Sequence, residues 1–357
     1  MNALNQQVSE ALHRRRSDLV ANMVKREFVP HPEPEQHFGK TGGATLLENA
    51  GFHLAYLTQA IAAGSPDLFA NYIGWAKIML AKRGFPAAYL ARLLAIMTES
   101  LRQELPPEFS LLGCNYLADA LQKLPKMPDE VTSFILEVPP HGRLAAKYLR
   151  LLLRGERNVA SKLILDAVRQ GAPVRDIYLH VFQRTQYEIG RLWQVNQINV
   201  AQEHYCTAAT QLIMSQLYPY IFGGEKSRGT LVAACVSGDL HAIGARMVCD
   251  FFEMDGWKTY YLGANVPTPS VIQTLIKQRA DVLAISATIT YHVRAVEALI
   301  VAVRRAPECR SVKILVGGYP FNVAPHLWRD IGADGSAADA QGAILLANRF
   351  ARQTPAA

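Results

Sequence analysis

Strand-like apolar runs alternate with helical stretches over roughly the last 125 residues, and this alternation restricts the fold more than any other feature. The intervening stretches have helical apolar spacing, as at Val271, Leu275 and Ile276. Strands that alternate with helices of this length predict a parallel sheet covered on both faces. Five such runs predict a doubly wound, flavodoxin-like α/β domain over residues 226–357. The runs are TLVAACV, KTYYLG, DVLAISAT, VKILVGG and the weaker ADGSAA.

The segment before this domain is expected to be a four-helix bundle over residues 129–225. Helix stops at Gly155, QGAPV and VNQIN divide it into four helical runs. Short connections make neighbouring helices antiparallel, which is typical of a bundle. The runs begin near Arg143, Asn158, Val174 and Val200.

Residues 1–128 are predicted to form a separate helical domain, which resembles the globin-like sensory domains of stress-signalling proteins. Its clearest helix carries an apolar stripe from Leu90 to Leu101, and Gly84 and Pro86 separate that helix from the one before it. The segment LPKMPDE at 124–130 is the predicted linker into the bundle.

Composition excludes several classes of protein. The five cysteines form no CxxC pair, which argues against a disulfide framework or a cysteine zinc site and favours a reducing cytoplasm. The chain has neither an N-terminal apolar signal sequence nor a membrane-length apolar run. A net charge of +7 is mild for 357 residues, and no nucleic-acid recognition motif accompanies it, so direct DNA binding is not expected.

The turn SGDLHAIGARM, at residues 237–247, follows the first predicted strand. Ligands of doubly wound sheets bind at the carboxyl ends of the strands. There His241 is placed to bind a metal carried by a ligand, while Asp239 accepts the other ring N–H and Gly244 permits close approach. A histidine in such a loop is often only a polar loop residue. The small residues that end the third and fourth strands favour a binding role: Ser286, Thr288, Gly317 and Gly318.

With these residues, the segment 230–355 resembles the cobalamin-binding domains of methionine synthase, mutases and corrinoid proteins. The resemblance implies base-off, His-on binding, in which His241 is the lower axial ligand of cobalt, tuned by Asp239 and Ser286. It also implies that the displaced nucleotide tail lies along Gly244, Ser286, Thr288, Gly317 and Gly318. The cobalt chemistry then belongs to the cofactor, and the protein supplies ligation and orientation.

The bundle carries a second motif, in which Trp193 is followed after nine residues by Glu203 and His204. On its own this is an ordinary core tryptophan with a polar helix start. Beside a cobalamin domain, the spacing resembles adenosylcobalamin-dependent photoreceptors of the CarH and LitR type. That resemblance implies that Trp193 packs over the adenosyl group and that Glu203 contacts it. It also implies that His204 binds cobalt from above after photolysis.

The N-terminal domain departs from those regulators, because it lacks their MerR-type DNA-binding pattern. The layout is similar to that of photocobilins, which implies biliverdin as a second chromophore. The candidate contacts are histidines, each of which is also plausible as a plain loop or helix residue, and a set of aromatic residues. They are His31, His37 and His53, with Tyr56, Tyr72, Trp75 and Tyr89.

Together, these resemblances predict a non-enzymatic cytoplasmic light sensor that binds adenosylcobalamin. Photolysis is expected to switch bundle packing and a homo-oligomeric state, and to alter contact with a downstream signalling protein. Two alternatives stay open. One is a corrinoid methyl carrier of a methyltransferase system, and the other is a cobalamin-responsive scaffold without photochemistry.

Overall fold

The computed structural model describes residues 3–28, 42–136, 138, 140–223 and 226–353. The chain divides into two compact units. The first comprises residues 1–129, 287–300 and 319–332, and the second comprises residues 130–286, 301–318 and 333–357. The predicted domain limits at 128 and 225 remain predictions. In the ranges that the structure describes, no helix is both long and apolar enough to cross a membrane.

The first unit is built on helices. The predicted apolar stripe, including Leu94 and Leu101, is buried in the helix Ala88–Glu104. Part of the predicted linker instead forms a 3-10 turn at Leu124–Lys126, which continues the preceding helix. The helices are α1 (Ala3–Arg14), α2 (Arg16–Phe28), α3 (Gly42–Ala62), α4 (Pro66–Lys82), α5 (Ala88–Glu104) and α6 (Pro107–Lys123).

The bundle opens the second unit, and its helices begin close to the four predicted positions. A six-residue π-helix, Ile177–Phe182, interrupts the third run, which is the kind of local widening often found at functional sites. Asn199 and Gln202 form a reciprocal capping box at the start of the last helix. The helices are α7 (His141–Leu153), α8 (Arg157–Arg169), α9 (Val174–Asp176), α10 (Gln183–Gln194) and α11 (Val200–Gln216).

The sheet contains five parallel strands in the order β2-β1-β3-β4-β5, so the predicted fold class is confirmed. The strands are β1 (Thr230–Cys235), β2 (Lys258–Tyr261), β3 (Val282–Ser286), β4 (Lys313–Gly317) and β5 (Gly335–Ser336). The helices of this part of the chain are α12 (Ile243–Met254), α13 (Thr268–Gln278), α14 (Val293–Arg305), α15 (Tyr319–Val323), α16 (Leu327–Asp330) and α17 (Ala340–Gln353). Of these, α15, α16 and residues 293–300 of α14 belong to the first unit.

The bundle packs against α12 through one continuous hydrophobic core that includes Phe182, Phe251 and Phe252. Polar contacts also cross this junction. The Arg246 guanidinium of α12 donates to the Ser215 hydroxyl (2.6 Å) and to the Tyr218 hydroxyl (2.9 Å). Bundle and sheet therefore share both a core and a set of specific polar bonds.

Candidate functional site

Three strand ends meet at the point where the strand order reverses, between β1 and β3. Cys235 is paired with Ser286, and Ser286 is paired with Gly317, so these residues form one row at the carboxyl edge. In doubly wound sheets this switch point is where ligands bind. The structure therefore brings Ser286 and Gly317 together beside the turn that carries His241.

The turn after β1 is fixed by Asn265, a residue that the sequence analysis missed. The Gly238 N–H donates to the Asn265 side-chain oxygen at 2.8 Å, and the Asn265 N–H donates to the Asp239 carbonyl at 3.0 Å. Gly238 (φ +87°) and Asn265 (φ +51°) both have left-handed backbones, which glycine and asparagine tolerate best. The GAN sequence after the second strand was the available signal, because it marks a turn at the same sheet edge.

Asp239 is completely buried and holds His241 through two hydrogen bonds. Its Oδ1 accepts the His241 backbone N–H at 2.9 Å and lies 2.9 Å from His241 Nδ1. Nδ1 therefore carries the proton that Asp239 accepts, and Nε2 is the ring nitrogen turned away from the carboxylate. The His241 side chain is 55% exposed, so the imidazole is accessible at the carboxyl edge of the sheet.

The electrostatic surroundings of His241 are acidic. The hydrogen bond that His241 donates to Asp239, together with the charges of Asp239 and Glu203, raises the pKa of the His241 imidazole, while burial acts in the opposite direction. Glu203 belongs to α11, so an acid of the bundle lies within electrostatic reach of the turn after β1.

Glu203 is half-buried and anchored on its own helix, where its Oε1 accepts the Thr207 hydroxyl at 3.0 Å. His204 is different. Its ring is 74% exposed, and Nε2 lies 3.4 Å from Glu203 Oε2. Trp193, on α10, is partly buried against the bundle core. Of the predicted upper-face residues, Glu203 contributes to the raised pKa of His241.

Space is kept open beside the first turn of α12. A Cβ built on Gly244 would meet no protein atom within 4 Å, so packing of the chain itself does not require glycine there. Gly318 has φ +110°, a conformation that favours glycine at the end of β4. Thr288 lies two residues beyond the end of β3 and is half-buried. The row of small residues and the gap at Gly244 leave room for an extended group next to His241.

These features fit a metal that arrives already held by a macrocycle. Among the residues that the structure describes, no three histidine, cysteine, aspartate or glutamate side chains converge as metal ligands. The turn offers one oriented imidazole instead, which suits a single axial position. The donor set therefore fits the predicted role of His241 toward a corrinoid.

The aromatic residues predicted to surround a bilin pack on one another. Tyr56 stacks on Tyr72 with ring centroids 3.6 Å apart, and the Tyr72 hydroxyl lies 2.8 Å from Nδ1 of buried His53. Burial lowers the pKa of His53 to about 4, so its ring is neutral. The cavity lined by His53 and Tyr89 has a volume of about 10 Å³, enough for one water molecule. His31 and His37 lie outside the described residues.

Comparison with known families matches both parts of the second unit. Residues 229–345 match the B12 binding domain, and residues 144–218 match a second family with the same description, B12 binding domain. The first match contains the sheet and the His241 turn, and the second contains most of the bundle. The predicted cobalamin-binding family is confirmed at this level.

Similar proteins are named as corrinoid proteins. A corrinoid protein of Desulfitobacterium hafniense is 26% identical over 204 residues, which are 56% of this chain and 93% of that protein. Dimethylamine corrinoid protein 3 of Methanosarcina mazei is 30% identical over 123 residues, which are 34% of this chain and 72% of that protein. For two other dimethylamine corrinoid proteins of Methanosarcina, the chain spans about three fifths of their length.

A solved structure shares the fold. The monomethylamine corrinoid protein of Methanosarcina barkeri superposes with a TM-score of 0.53 at 23% identity, covering 59% of this chain and 99% of that one. At this identity the likeness concerns the fold alone.

These findings correct two predictions. The predicted light sensor is wrong, because the relatives are corrinoid proteins, several of them named for dimethylamine. The predicted signalling partner and the light-switched assembly are wrong for the same reason. The Trp193-x9-Glu203-His204 spacing is therefore compatible with a corrinoid protein, and it does not identify a photoreceptor. Neither the adenosyl form of the cofactor nor biliverdin follows from the matched families.

Proposed function

Because the chain belongs to the B12-binding corrinoid proteins, we propose that it binds a corrinoid through His241 and carries a methyl group for a methyltransferase system. The observation that supports this most directly is the pair formed by buried Asp239 and His241, at 2.9 Å. That pair aims Nε2 out of the sheet edge at the switch point. When bound, the corrinoid would supply the cobalt atom that accepts and releases the methyl group.

Different residues of the chain are proposed to bind the cobalt and the nucleotide tail of the cofactor. His241 is the proposed lower axial ligand, and Asp239 fixes its tautomer and increases its basicity. Ser286 is proposed to adjust the same hydrogen-bonded network from the end of β3. The nucleotide tail of the cofactor is proposed to lie along the small residues of the strand ends and of α12. These are Gly244, Ser286, Thr288, Gly317 and Gly318.

The bundle is proposed to border the opposite face of the corrin. After Asp239, the charge of Glu203 also contributes to the raised pKa of His241, and Trp193 and His204 belong to the same pair of helices. For a methyl carrier, the bundle has to shield the cofactor from water and still admit a partner enzyme. His204, being 74% exposed, is proposed to lie at the rim of that entrance and not over the cobalt.

Ligation can be tested by electron paramagnetic resonance of the full chain loaded with cob(II)alamin. A nitrogen ligand from the protein predicts threefold splitting in unlabelled protein and twofold splitting in protein labelled with ¹⁵N-histidine. His241→Ala should abolish the label-dependent change. A label-dependent splitting that survives in His241→Ala would contradict the ligand assignment.

The carrier role can be tested by comparing cofactor forms. A methyl carrier should bind methylcobalamin at least as tightly as adenosylcobalamin, measured by absorption titration of the same protein. The reduced, loaded protein should also take a methyl group from methyl iodide and give it to a thiol when a corrinoid methyltransferase is added. A preference for adenosylcobalamin of more than about tenfold would count against the carrier.

A further inference from the structure

The outward face of α7 carries a row of cations. Arg143, Lys147 and Arg154 recur at helical intervals and are all exposed, so they lie along one side of the helix. The helix contains no aspartate or glutamate in its sequence HGRLAAKYLRLLL. The row is about 16 Å long, given 1.5 Å of rise per residue. We call these three residues the α7 basic row.

Acids on α8 and α10 pair with cations outside this row. Lys162 and Arg169 on α8 share Asp166, and Arg191 pairs with Glu188. Across the described part of the chain, Arg143, Lys147 and Arg154 have no such ion pair. These three cations thus remain available to an outside partner.

The row ends at a surface cavity of about 380 Å³. Leu152, Leu153 and Cys206 supply its apolar wall, and Arg154 stands at its edge. It lies between the end of α7 and the first turns of α11. Its volume is sufficient for one or two large apolar side chains.

Most polar groups of this cavity are already engaged by the protein. Asn199 and Gln202 bond to each other's backbone N–H in the capping box, at 2.9 and 3.1 Å. The Tyr205 hydroxyl donates to the Gly155 carbonyl at 2.6 Å. The cavity therefore offers an apolar wall with one available cation, Arg154, which is also the last member of the α7 basic row.

We propose that the α7 basic row and this cavity form one docking surface for an acidic, amphipathic segment of another protein. Carboxylates of that segment would pair with the row, and an apolar side chain at one end would enter the cavity against Leu152 and Leu153. A small molecule would occupy the cavity without needing the row, whereas a nucleic acid would use the row without needing an apolar wall. The combination favours a protein segment. This surface is independent of corrinoid binding and goes beyond the proposed carrier function.

The test uses fluorescence anisotropy with the full chain and a labelled helical peptide of about 15 residues. The peptide carries glutamates spaced to match the row and one leucine placed to reach the cavity. Replacing that leucine by serine, or the glutamates by glutamine, gives two matched peptides. An oligodeoxythymidine of the same charge serves as the competing polyanion.

Two triple variants test the location of binding. Arg143→Gln, Lys147→Gln and Arg154→Gln together should weaken binding of the peptide about tenfold, and added salt should weaken it further. The matched control combines Lys277→Gln, Arg305→Gln and Arg310→Gln, which are exposed cations elsewhere, and should leave binding unchanged. The leucine-to-serine peptide should also bind less tightly.

Three results would overturn the proposal. The first is equal weakening by both triple variants, which would mean that only overall charge matters. The second is tighter binding of the oligonucleotide than of the peptide, which would indicate a nucleic-acid surface. The third is the absence of peptide binding at millimolar concentration. Loss of corrinoid binding by the chain would leave this surface unaffected, so failure of the carrier role and failure of the docking surface are distinguishable.

Discussion

The Tyr178 hydroxyl donates a 2.8 Å hydrogen bond to Oδ2 of Asp250, and both residues are buried. Tyr178 belongs to the π-helix and Asp250 to α12, so the bond ties the bundle to the sheet. Burial raises the pKa of Asp250 from 3.8 to about 6, against the lowering by Tyr178 and Arg246. The junction therefore contains an acid that changes charge close to neutral pH.

This pKa predicts how stability depends on pH. The folded protein holds the Asp250 proton more tightly than the unfolded chain does, so the stabilising contribution is complete at low pH and declines as pH rises to about 6. Relative to Asp250→Asn, the wild-type protein should lose about 1.4 kcal/mol between about pH 5 and about pH 7.5. Urea unfolding of both proteins at the two pH values measures this. A stability difference that is the same at both would show that Asp250 does not titrate there.

Replacing the residues around the lower ligand should have graded effects. Asp239→Asn keeps an acceptor for Nδ1 but removes the charge, and is expected to weaken corrinoid binding by about tenfold. His241→Ala removes the ligand altogether and should also change the absorption spectrum of the bound cofactor. Titration with hydroxocobalamin measures both effects. Asp334→Asn, which alters a distant carboxylate that pairs with Arg304, is the control and should bind normally.

Substitutions at Gly244 should change cofactor binding without disturbing the fold. Because a Cβ there meets no protein atom within 4 Å, Gly244→Ala should fold normally and gain up to about 1 kcal/mol from its place in a helix. Gly244→Leu should fold as well but exclude the corrinoid tail, so its affinity for cobalamin should fall. Thermal unfolding without cofactor and absorption titration with it distinguish the two effects. Normal cobalamin affinity in Gly244→Leu would show that the nucleotide tail does not lie along residue 244.

Gly229, just before β1, is expected to tolerate no side chain. Its φ is +144°, and a Cβ there would lie 2.9 Å from Asp281 Oδ2 and 2.9 Å from Trp257 Cζ3. Trp257 is completely buried and cannot move aside cheaply. Gly229→Ala should therefore destabilise the protein by about 2–3 kcal/mol in urea unfolding. Gly190→Ala, where a Cβ meets nothing within 4 Å, should be neutral or slightly stabilising.

The sheet and the pairing of Asp239 with His241 were accessible from sequence because their signals are local. Strand runs, glycines at strand ends and the short spacing of Asp239 and His241 all arise within one βα unit. For Asn265 the GAN sequence indicates a turn, but the hydrogen bond to the Gly238 N–H depends on two loops meeting and is not encoded locally. The reach of Glu203 toward His241 was inaccessible in the same way, because it depends on how the bundle packs on the sheet.

The error about light sensing has a physical origin too. The spacing from Trp193 to His204 spans the turn between α10 and α11, so it fixes where two helices meet. It does not fix which chemical group the cofactor carries on the side that these helices border. That depends on access and on partner proteins, which a short spacing in one chain does not encode.

The π-helix has a consequence for how the bundle can vary. One wide turn acts as a single extra residue, and one residue corresponds to about 100° of rotation around a helix. With this wide turn in place, the Tyr178 hydroxyl donates to Asp250. Glu188, which follows the turn in the sequence, accepts the Phe134 N–H at 2.8 Å. A chain lacking one residue between 177 and 182 could keep only one of these bonds, because its helix would be out of phase with the other. Insertions and deletions should therefore be tolerated in the loops of this bundle and selected against in this turn.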